Sequence, residues 1–265
     1  MDRRSAFSYI CNQCGMCCRD KVITLSPYDV FRIARAVGIS TGEAVDRYTT
    51  RRGSILRFVA DGRCAALDGA RCSLHPGRPL ACRLYPLGLE RARARDGPAH
   101  VERFVPLEPA AGSLGVYGES GTVASFLDRQ DASPYLDAVE RYRSLIADFG
   151  CRVGALIDFE RVEPREFWRR ATREALAESN YDPNPLIDAL FDSDATAGIG
   201  YSPADSVAAH LEALRAMLAR ESDGARVAAA AVALAVSLGY PPSEVIAEVA
   251  VTAHGDKPER GAYRF

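Results

Sequence analysis

The sequence predicts a mainly α protein in two parts: a small, irregular, cysteine-rich module with a few short strands over residues 1–110, and a helical part over residues 111–265. Three observations carry this expectation. Seven of the eight cysteines lie in the first third of the 265-residue chain. Turn signals such as Asp68-Gly69 and Pro76-Gly77 interrupt the segments between them, leaving no long apolar period. From about Thr122 onward, apolar residues recur at the three- and four-residue spacing of amphipathic helices.

In chain order, Val22-Ile23-Thr24-Leu25 reads as a short extended segment. Ser26-Pro27 supplies a helix cap and a first helical position, and Val30, Phe31, Ile33, Ala34 and Val37 form a stripe ending at Gly38, so a helix is expected over Pro27–Val37. A second short helix is expected over Thr41–Tyr48, and a strand over Ile55–Ala60 leading to Cys64. Asp68-Gly69 predicts a hairpin turn between Cys64 and Cys72, and Pro76-Gly77 a second turn. Arg78 to Arg83 suits one helical turn. Leu84–Arg91 and His100–Val105 read as paired strands around Asp96-Gly97-Pro98.

In the second part, Ser133-Pro134 opens a helix with Leu136, Val139, Tyr142, Ile146 and Phe149 on one face. Pro164 opens another through Phe167, Ala171 and Leu176. Ser202-Pro203 begins a third with Val207, Leu211, Leu214 and Leu218 on its core side. An alanine-rich helix from Ala225 to Leu238 and a last one from Ser243 to about Val251 complete the set. The spacing Gly115-x-x-Gly118-x-x-Gly121 reads as a flexible connection between the two parts.

Composition sets the class. Hydrophobic residues at 48% and charged residues at 26% are those of a folded globular chain. A net charge of -2 gives no electrostatic footprint for nucleic acid. Met1–Ile10 holds no apolar run of a secretory signal, so a cytoplasmic location is expected. The most apolar run, Val227 to Leu238, falls well short of the roughly 20 residues needed to span a bilayer, so no membrane insertion is expected.

In a reducing cytoplasm, clustered cysteines are metal ligands or redox groups rather than structural disulfides. The adjacent pair Cys17-Cys18 strengthens this, because neighbours reach disulfide geometry only with strain. The candidate metal ligands are Cys11, Cys14, Cys17, Cys18, Cys64, Cys72 and Cys82. Thiolates at i, i+3 and i+6 let a short loop aim its sulfurs at one point, with Gly15 free to take a positive φ. The Cys11-x-x-Cys14-x-x-Cys17 spacing is that by which ferredoxin loops hold three irons of a [4Fe–4S] cluster, a remote cysteine providing the fourth ligand. Zinc more often takes two separated Cys-x-x-Cys pairs, and Cys64, Cys72 and Cys82 contain none. The spacing favours iron–sulfur, zinc is the alternative, and seven thiols could serve two centres.

These residues carry a resemblance. Cys11-x-x-Cys14-Gly15-x-Cys17-Cys18, then Cys64, Cys72-Ser73-Leu74 and Arg78-Pro79-x-x-Cys82-Arg83-x-Tyr85-Pro86, resemble the CxxCxxCC family of zinc- or iron-chelating domains over roughly residues 7 to 90. His75 stands where the family more often has tyrosine, so no ligand role is carried onto it. The family includes flagellin lysine N-methylases, so the resemblance implies S-adenosylmethionine as cofactor and a protein substrate as one alternative. The other is a metal-binding protein with a structural or electron-carrying centre, whose helical half recruits a protein partner. No glycine-rich strand-to-helix turn followed by an acidic residue supports a nucleotide-type fold.

Around Cys82, Arg78, Arg83 and Tyr85 suit either tuning of the thiolates and an anionic substrate, or fixing of the loop. Arg91, Arg93 and Arg95 read as a solvated strand edge or loop. Cys151 reads as a small buried side chain, with no histidine nearby in sequence to activate it. His100, His210 and His254 form no ligand pair.

Overall fold

A computed structural model describes residues 1–93, 100–177, 183–197, 203–243 and 246. Helix accounts for 53% and strand for 13%, the strands forming only two-stranded sheets among the described residues, so the chain is mainly α.

The N-terminal region begins with β1 (Tyr9–Ile10), followed by the cysteine loop and α1 (Pro27–Val37). Ser26 and Asp29 form a reciprocal capping box, and Gly38 ends the helix at φ 72°. The box does a second job. Asp29 Oδ2 accepts the Ser26 N–H at 2.8 Å, while its Oδ1 accepts the Leu80 N–H at 2.7 Å, tying α1 to α3 (Leu80–Leu84), the helical turn that carries Cys82. At Gly77, just before α3, a Cβ would lie 2.2 Å from the Arg32 carbonyl oxygen, so only glycine lets this turn rest on the α1 backbone.

Between them lie α2 (Thr41–Tyr48), β2 (Thr49–Thr50), β3 (Ile55–Leu56), β4 (Leu67–Asp68) and β5 (Arg71–Cys72). The strand expected over 55–60 is two residues long, extended only by the Phe58–Cys64 bridge. The hairpin before Cys72 turns through Gly69-Ala70, with Asp68 paired to Arg71. β6 (Leu87–Arg93) pairs antiparallel with β7 (His100–Pro106), as expected, and Asp96-Gly97-Pro98 lies outside the described residues. Between β7 and the helices, β8 (Val116–Tyr117) pairs back to β1, with Ile10 opposite Val116.

The helical half comprises α4 (Val123–Arg129), α5 (Ser133–Leu156), α6 (Pro164–Ala175), α7 (Pro185–Phe191), α8 (Ser193–Ala197), α9 (Pro203–Arg220) and α10 (Gly224–Ser237). α10 is the apolar run read as buried. It packs on α5, α6 and α7, and Val227 through Ala235 are wholly inaccessible. Its small side chains let three helices approach one axis. The expected faces of α5 and α9 are buried, although Ser133 is already helical and Ala132 occupies the cap. α7 and α8 were not expected. Asn184 caps α7 through its side-chain oxygen, which accepts from the Leu186 and Ile187 N–H groups, and Pro185 follows. The last expected helix, 243–251, and His254 lie almost wholly outside the described residues.

His210 on α9 is 0% exposed. Its Nε2 lies 2.7 Å from the Ala189 carbonyl, to which it donates, leaving Nδ1 to accept from the Tyr142 hydroxyl at 2.6 Å. Burial pushes its pKa down to about 4. The unfolded chain therefore binds a proton here below about 6.5 that the folded chain refuses until about 4. Stability from this group is complete above 6.5 and falls by about 3 kcal/mol as pH drops through that window. Urea unfolding at pH 7 and pH 4 should show His210→Gln with a correspondingly shallower loss than the parent chain; equal losses would contradict the assignment.

Candidate metal centre

The cysteine loop runs from β1 to α1 as a chain of tight turns. Gln13 and Gly15 take φ values of 52° and 74°, and the Cys18 N–H donates to the Gly15 carbonyl at 3.0 Å. A Cβ on Gly15 would lie 2.8 Å from the Ala70 carbonyl oxygen, so the expected glycine conformation also lets the loop press on the β4–β5 hairpin. Cys64 is fastened to this loop by its N–H, which donates to the Cys18 carbonyl at 2.9 Å. Cys72 ends β5, and Cys82 sits in α3.

All seven predicted thiols, Cys11, Cys14, Cys17, Cys18, Cys64, Cys72 and Cys82, line one cavity of ≈ 560 Å³. The Cys17 and Cys18 sulfurs are 4.0 Å apart. Among the described residues, no three Cys, His, Asp or Glu side chains already stand close enough to hold one ion. The donor chemistry fits a thiophilic metal; the loops carrying those donors must close to coordinate it.

The thiols are not equivalent. Donation from the Cys18 thiol, with help from Lys21 and Arg78, draws Cys17 down to about 7 against the effect of burial. Burial opposes ionisation of Cys14, yet the Leu114 and Met16 N–H groups bring it below its ordinary value. Cys18 is pushed up by its donation to Cys17 and by burial, while burial raises Cys64, Cys72 and Cys82. Two thiols of the tight loop are thus drawn towards ionisation, and the other four are shifted against it.

Backbone donors already face the sulfurs. The Gln13 N–H points to Cys11 Sγ and the Leu114 N–H to Cys14 Sγ, each at 3.4 Å. Leu114 directly precedes Gly115–Gly121, the stretch whose spacing predicts a flexible connection; that expectation is corrected. Gly115 approaches so closely that a Cβ would fall 1.8 Å from the Tyr9 hydroxyl, Asn12 Nδ2 donates to the Leu114 carbonyl at 2.6 Å, and Gly118 and Gly121 flank or follow paired β8. The signal was in the glycines, which here permit close packing rather than freedom.

Arg83 and Arg78 fix the loop. Arg83 donates to the carbonyls of Pro76, Arg78 and Gln130, and Arg78 to the His75 carbonyl and Gln130 Oε1. Tyr85 Oη accepts the Ala110 N–H at 2.5 Å. His75 is half-buried and lines the cavity, its ring held by Arg78 Nη1 at 3.1 and 3.2 Å. Two further expectations are corrected. Cys151 is exposed, because α5 turns that face to solvent. Arg91 is not a solvated edge residue: its side chain is 6% exposed and lines the cavity, drawn inward beside Glu102 and Glu140.

Seven thiols on short loops around one cavity have the donor chemistry of a thiolate metal-chelating module. Residues 10–99 match the model of the CxxCxxCC family, described as "Putative zinc- or iron-chelating domain". The match spans the whole cysteine cluster and about a third of the chain, and it bears out the resemblance carried by the motifs. No curated protein and no solved structure matches the chain. No described helix is long and apolar enough to cross a membrane.

Proposed function

We propose that the N-terminal module binds a [4Fe–4S] cluster through Cys11, Cys14, Cys17 and one thiol from Cys64, Cys72 or Cys82, with zinc as the competing occupant. The observation that carries this reading is the convergence of all seven thiols on one cavity, with the i, i+3, i+6 loop at its edge. N–H groups already directed at Cys11 and Cys14 support it, since donors to cluster sulfurs set such a centre's potential. A bound cluster would supply one-electron transfer. The chain itself contributes the thiolates and their backbone donors. Arg83 holds the carbonyls behind Cys82 in place, and the helical half offers a surface to a partner protein. Reduced thiols require a reducing compartment such as the cytoplasm. The lysine methylation implied by the family resemblance has no specific support here: within Gly115–Gly121, Val116 and Tyr117 pair with β1 and Gly115 packs on Tyr9.

Alkylation tests the site. Cys151 is exposed on α5 and lines no part of the cavity, so it provides an internal control. Iodoacetamide on the metal-loaded chain should label Cys151 rapidly and protect the ligating thiols, and chelation should open those thiols to labelling. Equal labelling in both states would count against the reading.

A further inference from the structure

The cavity is larger than a thiolate-bound ion needs. Its ≈ 560 Å³ lies within the roughly 300–1,000 Å³ of small-molecule sites, whereas a tetrahedral zinc at about 2.3 Å from its sulfurs occupies only the space between them. Part of its wall carries no thiol. Leu84, Leu87, Leu89, Val139 and Leu238 line it from α3, β6, α5 and the end of α10.

Arg91 is the cationic group of that wall, which Ser237 and Glu108 also line. Its Nε and Nη2 are buried and make no hydrogen bond. The nearest carboxylate oxygens are Glu140 Oε1, 3.7 Å from Nε, and Glu102 Oε1, 3.9 Å from Nη2. Both exceed hydrogen-bond reach. Glu102 Oε2 is held by Arg3 at 2.8 Å, and Glu140 is half-exposed and free to swing outward. A buried guanidinium with two donors unused presents the fork that a carboxylate accepts.

We propose that this cavity binds a small amphiphile, with an apolar body along the leucine wall and a carboxylate head on Arg91. The inference rests on Arg91 and the leucine wall, none of which is a cysteine.

Calorimetric titration of the full chain with decanoate, both metal-free and metal-loaded, tests it. Saturable binding of one decanoate per chain is expected in at least one state. Arg91→Met should weaken it tenfold or more while leaving decanol binding unchanged. Glu140→Gln, which removes the competing carboxylate, should tighten it. Absence of saturable binding in both states, or the same decanoate affinity in the parent chain and both variants, would overturn the proposal. Should Arg91→Met fail to fold, Glu140→Gln decides: unchanged or weaker affinity overturns the site.

Discussion

Replacing Cys17 by serine is expected to empty the thiol-lined cavity and to unfold the loops between residues 11 and 82. The Cys17 sulfur lies 4.0 Å from that of Cys18, and the Cys18 thiol, with Lys21 and Arg78, favours the Cys17 thiolate. Serine keeps the shape and loses the soft ligand. The surrounding elements are too short to hold themselves: β1 through β5 have two residues each, and isolated short strands are marginal in water. Much of this region's folding energy is therefore expected to come from ligation, as in small metal-dependent folds, where binding and folding are one equilibrium. Metal content should fall to about a tenth or less of the parent value, and amide exchange should accelerate over residues 11–82 while α10 stays protected. Cys14→Ser should behave likewise. Full metal content with unchanged protection in either variant would contradict the account.

Arg83→Ala should cost about 2–4 kcal/mol of stability, from three partly buried carbonyls losing their donor at once. The side chain is 4% exposed and spans two regions: Nη2 meets Pro76 at 2.7 Å, Nε meets Arg78 at 3.1 Å, and Nη1 meets Gln130 at 2.6 Å. Its guanidinium carbon also lies 4.5 Å from the Tyr135 ring centroid. It thereby bolts the turn before Cys82 to the junction of α4 and α5. Lysine cannot replace it, because one ammonium cannot reach three carbonyls spread along a planar fork. Urea denaturation of metal-loaded Arg83→Ala and Arg83→Lys measures the effect. A loss below about 1 kcal/mol in both would show that these bonds are replaced by water.

Where local chemistry decides structure, the sequence was readable. Ser26-Pro27 with Asp29, and Gly38 eleven positions past Pro27, delimit α1 correctly because a cap is a contact among neighbours. α10 was readable because an apolar run of that length has few alternatives to a buried helix. The seven metal candidates were legible from spacing, and they do share one cavity. What escaped depends on distant partners. The pairing of β1 with β8 joins segments about a hundred residues apart, and nothing within Gly115–Gly121 announces Tyr9. Arg91 is buried because Glu102 and Glu140 approach it from β7 and α5, a fact no strand pattern contains. Cys151 faces outward because α5 buries its opposite side, whereas cysteine as a residue type favours burial. α7 was missed for its length, seven residues whose apolar side chains are consistent with either helix or loop without the Asn184 cap.

Metal and acid-labile sulfide content, measured with a visible absorption spectrum on protein purified without air, tests the central claim most directly. The account predicts iron and sulfide in similar amounts, near four of each per chain, with broad thiolate-to-iron absorbance that bleaches on reduction. Zinc without sulfide would contradict it and make the centre a structural staple for the loops around Cys17.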